Sequence, residues 1–395
     1  MRVLIVTKIF PSSVEPSSSP FNRQQFRELS HLADVELLAT IPWFPGAAAF
    51  RRWSPAGRLT SVPAREEIDG LVVRHPRVLF VPKVGHSIAG QLYAASLGPT
   101  ALRYRGRVDI VLGAWGYPDG YAAVLLGRLL GVPVVIKLHG SDVNVLGRQA
   151  SLRRHLSWAL SHAARVVAVN EPLAERAREL GVAPNKVDVV PNGIDRALFH
   201  PRDRREARRA LGLPLEGKLV LFLGHLSEAK GAVDLLRAFQ VGADKLAGVE
   251  LAMVGDGADA QLCQMLARSL PVNVRFPGVQ PHDLVPTWLA ACDVLALPSW
   301  NEGTPNVVLE ALACGRPVVA TSVGGIPALV TSERGALVPA QDVHSLGTAL
   351  RQVLDRDFDP EVLSGGLEQP DWAGSARLLH RSLLDALRGA HREVA

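Results

Sequence analysis

The chain has 395 residues, of which 48% are hydrophobic, 21% charged and 6% aromatic, with 35 Gly and 28 Pro. This composition excludes a disordered, fibrous or disulfide-stapled chain, and the length favours two domains of ordinary size. The formal net charge of +5 is too small to indicate a nucleic-acid binder. The excess is uneven, because residues 1–200 carry 24 basic and 15 acidic side chains.

The cysteines and the apolar runs bear on the compartment. Cys263, Cys292 and Cys314 lack the spacing of a metal site or a redox motif, which indicates a reducing environment. No run reaches the roughly 18 apolar residues of a membrane-spanning helix. The first apolar run stops at Lys8, so it is too short for a signal peptide and typical of a strand. We therefore expect a cytoplasmic protein.

Short runs rich in Val, Leu and Ile recur along the chain, each followed by a loop and a segment of helical periodicity. This alternation is typical of parallel strands buried between crossover helices. The predicted strands are Val3–Thr7, Val35–Thr40, Leu71–His75, Ile110–Gly113, Val134–Leu138, Val166–Val169, Val187–Val190, Leu219–Leu223, Leu251–Val254, Val272–Phe276, Val294–Leu297, Val318–Ala320 and Ala336–Val338. Two groups of about six strands are too many for one twisted open sheet. The sequence predicts an α/β fold with two doubly wound, Rossmann-like domains.

The domain boundary is predicted between Pro191 and Pro214, where a turn is followed by an Arg-rich stretch. We therefore expect a first domain over residues 1–200 and a second over residues 201–370. The last segment, 371–395, carries leucines at helical spacing. It predicts a helix that packs back on the first domain.

The strongest local motif is residues 298–315, which follow a predicted strand and read PSWNEGTPNVVLEALACG. Thr304 suits an N-cap, Pro305 suits the first helical position, and Gly315 suits the end of the helix. A helix N-terminus at the carboxyl edge of a sheet attracts anions, so the motif predicts a diphosphate site.

Two acidic residues, Glu302 and Glu310, flank this predicted helix start. Carboxylates accept hydrogen bonds from vicinal hydroxyls, which suits a ribose or a hexose. The alternative interpretation is that Glu302 complements the helix dipole and that Glu310 lies on a solvated helix face.

Together these motifs resemble the family-four glycosyltransferases of the GT-B fold, in which two Rossmann-like domains face each other across a cleft. The resemblance rests on the spacing of Glu302 and Glu310 and on the segments FLGHLSEAKG (222–231), VGDG (254–257), VPNGID (190–195), HGSD (139–142), PVVAT (317–321) and GGIP (324–327). It covers residues 135 to 340, whereas the stretch before 135 carries little signature.

The resemblance implies a donor-binding set made of Gly224, His225, Lys230, Glu302, Gly303, Thr304, Pro305, Asn306 and Glu310. Glu302 would hold hydroxyls of the donor sugar, with the backbone of the next four residues on the sugar and diphosphate. Glu310 would accept hydrogen bonds from the nucleotide ribose. Lys230 would place its ammonium on the diphosphate as the leaving group gains charge; the alternative is a solvated loop lysine.

Two histidines complete the implied site. His139 ends a buried strand and resembles the histidine that reaches the donor sugar from the first domain; the alternative is a structural histidine, and Asp142 is expected to cap the next segment. His225 departs from the family, which usually has arginine here. Because histidine changes charge near neutral pH, its share of leaving-group stabilisation would depend on pH. With Glu302 and Lys230, His139 is a predicted catalytic residue.

The implied reaction is transfer of a hexosyl group from a nucleotide-diphosphate-sugar to a hydroxyl acceptor with retention at the anomeric carbon. The expected acceptor is a lipid-linked or polysaccharide glycan, as in bacterial polysaccharide and glycolipid assembly. We expect no cofactor and no metal, because Asp256 to Asp259 is better interpreted as a strand-end turn than as a metal motif.

Two other functions remain open, a GT-B-shaped sugar-nucleotide epimerase and a non-catalytic sugar-nucleotide-binding subunit. A Rossmann dehydrogenase is disfavoured because the first βα turn lacks G-x-G-x-x-G. Nucleic-acid binding would need an aromatic or helix-turn-helix context that is not found.

The basic first half also predicts peripheral contact with an anionic membrane. Residues 43–53 combine aromatic side chains with Arg51 and Arg52, and Arg103, Arg105 and Arg107 add charge. The alternative is a partly ordered insertion with scattered surface apolar residues. If the contact exists, the protein would work at the inner face of the membrane.

Overall fold

A computed structural model describes residues 1–16, 18–50, 54–81, 88–144 and 149–394. This part of the chain forms two compact units, one of residues 1–193 with 370–395 and the other of residues 194–369. Each unit is built on its own largely parallel sheet, which confirms the predicted α/β class with two Rossmann-like domains. Residues 194–200, which the sequence placed in the first domain, belong to the second unit.

Strands and helices alternate through both units. The strands are β1 (Arg2–Thr7), β2 (Asp34–Ala39), β3 (Ile41–Trp43), β4 (Arg65–Ile68), β5 (Leu71–Arg74), β6 (Arg77–Leu79), β7 (Ile110–Gly113), β8 (Val134–Leu138), β9 (Arg165–Ala168), β10 (Val187–Val189), β11 (Lys218–Leu223), β12 (Val249–Val254), β13 (Val274–Gly278), β14 (Val294–Leu297), β15 (Val318–Thr321) and β16 (Gly335–Val338). The α-helices are α1 (Pro20–Ser30), α2 (Pro55–Arg58), α3 (Ala89–Ala101), α4 (Tyr121–Leu130), α5 (Ser141–Asn144), α6 (Ala150–Ser161), α7 (Glu171–Glu179), α8 (Arg204–Ala210), α9 (Ala232–Val241), α10 (Ala260–Ala267), α11 (Val285–Ala291), α12 (Asn306–Ala313), α13 (Val343–Leu354), α14 (Pro360–Gly365) and α15 (Trp372–Val394).

The first unit holds a sheet in the order β10-β9-β8-β7-β1-β2-β5-β4. All neighbours are parallel except β4 and β5, and β3 pairs with β6 in a separate small sheet. The predicted strands of this half are confirmed to within one residue at each end. Sequence reasoning missed β3, β4 and β6, which are short or, like β4, polar. The Asp69-Gly70 turn, with φ of 50° and 80°, is the hairpin signal that could have located β4.

Helix α15 belongs to the first unit, as predicted. Its Leu379 and Leu383 are fully buried in one apolar cluster with Val3, Ile5 and Phe26. Because an amphipathic helix is stabilised mainly by burial of its apolar face, this packing fixes the C-terminal segment on the first sheet.

A buried lysine connects three elements of the same unit. The Lys137 ammonium on β8 donates a hydrogen bond to Gln25 Oε1 at 2.5 Å, and the Gln25 amide donates to Ser375 Oγ at 2.7 Å. Ser375 in turn donates to the carbonyl oxygen of Pro191. Burial lowers the pKa of Lys137 to about 7. The hydrogen bond to the Gln25 amide oxygen replaces part of the hydration that the buried ammonium loses.

The second unit holds a fully parallel sheet in the order β13-β12-β11-β14-β15-β16. The strands predicted here are confirmed to within two residues at each end. The direction of strand succession reverses between β11 and β14, and in the first unit it reverses between β1 and β7. In open α/β sheets, ligands bind at the carboxyl ends of the strands that flank such a reversal.

Candidate functional site

The predicted donor-binding residues of the second unit collect where β11 and β14 end. Gly224 and His225 follow β11, and Glu302 lies in the loop between β14 and α12. Lys230 ends a short 3-10 turn just before α9. The topology therefore brings the two motifs to the edge at which a ligand is expected.

A salt bridge joins the two principal residues of this edge. Lys230 Nζ lies 2.7 Å from Glu302 Oε1, and the buried Ser299 hydroxyl donates to the same oxygen at 2.7 Å. The Lys230 side chain is 38% exposed, whereas that of Glu302 is only 8% exposed. The carboxylate is thus fixed in place, while part of the lysine side chain remains accessible.

Backbone contact holds the lysine loop against the acidic loop. Gly231 has a φ of 72°, and a Cβ built on it would lie 2.0 Å from the carbonyl oxygen of Pro298. The Trp300 N–H donates to the carbonyl oxygen of Ala229 at 3.0 Å, and its indole N–H donates to Asp234 Oδ2 at 2.7 Å. Glycine is therefore required at 231, since any side chain would separate the loops.

The loop before α12 is supported in the same way. Gly324 has a φ of 55°, and a Cβ there would lie 1.9 Å from the carbonyl oxygen of Glu302. The Gly325 N–H donates to the carbonyl oxygen of Gly303 at 2.9 Å. The backbone of the 324–327 motif thus packs against and hydrogen-bonds to the backbone of the loop that contains Glu302.

The predicted start of α12 was wrong by one position. The helix begins at Asn306, Pro305 occupies the N-cap position with a ψ of 109°, and no side chain caps this end. Thr304 is therefore not the cap, because Pro305 is still extended and separates it from the helix. Gly315, with a φ of 69°, follows the end of the helix as predicted.

Glu310 lies one turn after Asn306, on the same face of α12. Its side chain is partly buried, and this burial raises the pKa of the carboxyl to about 7. The Glu310 side chain is therefore not fully solvated.

Gly224 and His225 occupy the loop after β11. The Gly224 N–H donates to the carbonyl oxygen of Val254 at 3.0 Å, and a Cβ at Gly224 would meet no atom within 4 Å. His225 is exposed. This loop therefore has open space beside it, and the imidazole lies on the accessible side.

In the first unit, His139 follows β8 at the carboxyl edge of the sheet. Its ring lies 5.0 Å from the ring of Phe21 and 5.9 Å from that of Trp115. Within the described residues, the buried Nε2 has no hydrogen-bond partner. Burial, assisted by the charge of Lys137, lowers the pKa of His139 well below its usual value, so the imidazole is neutral at physiological pH.

Asp142 does not cap the following segment, contrary to the prediction. Its fully buried carboxylate accepts hydrogen bonds from the N–H groups of His139 at 3.1 Å, Gly140 at 2.8 Å and Gly116 at 2.8 Å. Gly116 lies in the loop after β7, and His139 and Gly140 lie in the loop after the neighbouring strand β8. The Asp142 carboxylate therefore joins these two loops and positions His139.

Three further residues at this edge escaped sequence reasoning. Lys8 follows β1 and its Nζ lies 5.1 Å from the ring centroid of Trp115. The Lys8 N–H donates to Asp119 Oδ2 at 2.8 Å, and burial raises the pKa of Asp119 to about 7 against the opposing effect of Lys8. The available signal was the Trp-Gly-Tyr-Pro-Asp-Gly segment directly after a predicted strand.

Comparison with known proteins decides the family. A model described as Glycosyltransferase Family 4 matches residues 56–198, and one described as Glycosyl transferases group 1 matches residues 217–356. TuaC of Bacillus subtilis (strain 168), named for teichuronic acid biosynthesis, is 30% identical over 392 residues, or 96% of this chain and 97% of TuaC. The chain belongs to the family-four glycosyltransferases.

Solved structures support the GT-B fold of this glycosyltransferase. Anabaena Alr3699/HepE, solved in complex with UDP, has a TM-score of 0.66 at 18% identity, with 100% of this chain and 98% of that chain covered. Sucrose-phosphate synthase from Thermosynechococcus elongatus has a TM-score of 0.71 at 19% identity and the same coverage. Of the functions that the sequence left open, the similarity to TuaC and the two family models support the glycosyltransferase.

Other predicted features of the glycosyltransferase concern metals and membranes. In the described ranges, no three His, Cys, Asp or Glu side chains are grouped to hold a metal ion, and no helix has the length and apolarity to cross a bilayer. Of the predicted membrane-contact peptide, Arg51, Arg52 and Trp53 lie outside the described residues. Arg103, Arg105 and Arg107 are exposed.

Proposed function

We propose that the chain is a retaining glycosyltransferase that moves a hexosyl group from a nucleotide-diphosphate-sugar to a hydroxyl of a lipid-linked or polysaccharide glycan. The observation that carries the proposal is the Lys230–Glu302 salt bridge at the β11/β14 reversal. The name of TuaC, from teichuronic acid biosynthesis, and the UDP complex of Alr3699/HepE agree with a glycan acceptor and a nucleotide-sugar donor.

The salt bridge suits a donor whose sugar and diphosphate are adjacent. The partly exposed Lys230 side chain places its ammonium on the diphosphate, and Glu302, held by Ser299, accepts hydrogen bonds from sugar hydroxyls. As the sugar–phosphate bond breaks, negative charge accumulates on the leaving phosphate. A fixed cation beside it stabilises the transition state more than the ground state.

The nucleotide half of the donor is assigned to α12 and the loop before it. N–H groups in the first turn of a helix have no intrahelical acceptors, so the start of α12 at Asn306, together with the loop 303–305 before it, suits phosphate oxygens. Glu310, on the same face as Asn306, accepts hydrogen bonds from the ribose hydroxyls. Gly224 and His225, in the loop after β11, are assigned to the phosphates of the donor because this loop has open space beside it.

Retention follows in this proposal from attack on the same face of the sugar that the diphosphate leaves. Glu302 is already hydrogen-bonded and paired with Lys230, which disfavours it as a nucleophile. The departing phosphate then takes the acceptor proton, and no protein base is needed. Lys230 supplies the positive charge, so the proposed reaction is independent of a metal.

His139 keeps in this proposal the role that the resemblance implies, a contact to the donor sugar. Its lowered pKa makes it a neutral hydrogen-bonding group rather than a cation. Contact with the inner face of the membrane belongs to the same proposal and is supported by the exposed Arg103, Arg105 and Arg107.

The test uses the purified chain with a panel of UDP-, GDP- and dTDP-sugars. We expect one donor to raise the melting temperature and to be hydrolysed slowly, with the released sugar first appearing in the donor's anomeric configuration by proton NMR. Glu302→Gln should abolish this hydrolysis, whereas Glu333→Gln, an exposed carboxylate of the same unit, should not change it. Release of the opposite anomer, or full activity of Glu302→Gln, would refute the proposal.

A further inference from the structure

The first unit contains a cavity of about 720 Å³, a size typical of small-molecule sites. Its lining includes Pro42, Phe44, Leu79, Leu92, Tyr93 and Pro118. These residues come from β3, β6, α3 and the loop after β7. The cavity thus opens beside the β1/β7 reversal, where a ligand is expected, and its wall is almost wholly apolar.

Apart from Lys8, the polar side chains of the described wall are already hydrogen-bonded within the protein. The Tyr93 hydroxyl lies 2.5 Å from Thr40 Oγ1, and the Tyr117 hydroxyl accepts a hydrogen bond from the Gly90 N–H at 3.0 Å. A sugar or nucleotide placed here would lose its hydrogen bonds to water without replacement. The occupant that this wall favours is therefore hydrocarbon.

Exposed apolar side chains surround the cavity. Trp43, Phe50, Val81 and Ile88 are each between 39% and 49% exposed. Phe50 and Val81 line the cavity, and Trp43 and Ile88 adjoin lining residues in the chain. A group of exposed apolar residues marks a surface that meets an apolar ligand or interface. Phe50 and Val81 bring such exposed apolar surface to the cavity wall.

The wall of the cavity also includes a cation. Among the described lining residues, Lys8 is the one with a charged side chain. Its ammonium lies 5.1 Å from the ring of Trp115, which in turn stacks on His139. This wall would suit a ligand with a hydrocarbon part in the apolar pocket and an anionic head beside Lys8, at the sheet edge that holds His139.

We propose that this cavity binds the hydrocarbon chain of a lipid-linked acceptor, with a phosphate of its head group at Lys8. The inference rests on the proposed glycosyl transfer and adds the substrate class. The glycan or hydroxyl to be modified is attached to a long-chain phosphate, and the first unit recognises the chain rather than the sugar.

The test uses a dodecyl phosphate that carries a photoreactive diazirine near the end of its chain. On irradiation with the full chain, we expect labelling of cavity residues such as Leu59, Leu79 and Leu92, identified by mass spectrometry. Unlabelled dodecyl phosphate should compete, whereas inorganic phosphate should not. Competition by inorganic phosphate, or labels scattered over the surface, would overturn the inference.

Two variants of α3 distinguish binding in the cavity from nonspecific hydrophobic binding to the protein surface. Ala89 lines the cavity, whereas Ala95 is exposed on the same helix and does not. Ala89→Trp should reduce labelling at least tenfold and Ala95→Trp should leave it unchanged. Lys8→Gln should weaken dodecyl phosphate binding several-fold but not the binding of dodecanol. Equal labelling of the two tryptophan variants would contradict the proposal.

Donor binding is measured on the same samples, so that the two proposals fail separately. If a nucleotide-sugar is bound and hydrolysed while the probe does not label the cavity, the lipid inference alone is wrong. If the probe labels the cavity and no nucleotide-sugar is bound, the glycosyl-transfer proposal fails, although the lipid site stands. A melting temperature of Ala89→Trp close to that of the parent protein shows that this variant is folded.

Discussion

The two units use the same sheet architecture for two chemically different edges. In the second unit, the loops at the β11/β14 reversal present the Lys230–Glu302 salt bridge and glycines packed against backbone. In the first unit, the loops at the β1/β7 reversal present aromatic rings, an apolar cavity and buried acids. The comparison teaches that the sheet supplies the place of a site, while its loops decide the ligand.

Net charge would have suggested the opposite assignment. Residues 1–200 carry the excess of basic side chains, yet the proposed diphosphate site lies in the more acidic half. What matters there is one cation held by one buried carboxylate. A phosphate is recognised by local donors at hydrogen-bond distance, and distant surface charges are screened by salt.

The largest effect is expected for Lys230→Ala, which tests the charged character of the second unit's site. If this lysine stabilises the leaving diphosphate, kcat should fall by roughly 100- to 1,000-fold, as for loss of a preorganised charge-stabilising group. Binding of the donor should weaken less, because the backbone and ribose contacts remain. Initial rates of nucleoside diphosphate release measure both parameters.

Lys245→Ala is the matched control for Lys230→Ala. Lys245 is an exposed lysine of the same unit whose ammonium donates to Thr348 Oγ1. This variant should retain the activity of the parent protein. An unchanged kcat in Lys230→Ala would contradict the role of Lys230 in stabilising the leaving diphosphate. The proposed difference between the two sheet edges would then have no support from this lysine.

Glu310→Gln tests the proposed hydrogen bonds to the ribose, and its expected effect is smaller than that of Lys230→Ala. Removing the charged acceptor should raise the donor dissociation constant by about tenfold, the value of one charge-assisted hydrogen bond. Isothermal titration with the bound donor at about pH 8, where Glu310 is ionised, measures this. Glu333→Gln should show no change.

The same variant has a stability signature with a defined sign. Burial raises the pKa of Glu310 from 4.5 to about 7, so the folded state holds the proton more tightly than the unfolded chain. Its contribution to stability therefore falls as pH rises from 4.5 to about 7 and stays low above it. Glu310→Gln should be more stable than the parent above this window, by up to roughly 3 kcal/mol, and similar to it below. Urea unfolding at both ends of the window checks this, and a constant difference would exclude the shift.

The two edges also differ in how far the sequence predicts them. Gly231 and Gly324 are required because backbone atoms lie within about 2 Å of where a Cβ would be. The loops of the second unit can therefore be recognised from short motifs in the sequence. Lys8, Trp115 and Asp119 meet only in the folded sheet, more than 100 residues apart in the chain for Lys8 and Asp119. Their arrangement depends on burial between adjacent strands, for which a single sequence has no spacing rule.

Secondary structure shows the same division. Central strands such as β7, β8 and β14 were predicted with their observed bounds because both faces are buried and their apolar runs are continuous. The edge strand β4 reads Arg-Glu-Glu-Ile and pairs on one side only, so its polarity concealed it. The start of α12 was misplaced because Thr304 and Pro305 fit a common capping rule that the extended Pro305 does not follow.

The smallest expected effect sharpens the assignment within the second unit. His225→Arg places a guanidinium, charged at every assay pH, on the exposed loop beside Gly224. If this loop faces the diphosphate, the donor should bind a few-fold more tightly. His344→Arg, at an exposed histidine of the same unit, controls for the added charge. Equal effects of the two variants would mean that position 225 does not reach the phosphates, and Lys230 would then be the sole side-chain cation of the proposed diphosphate site.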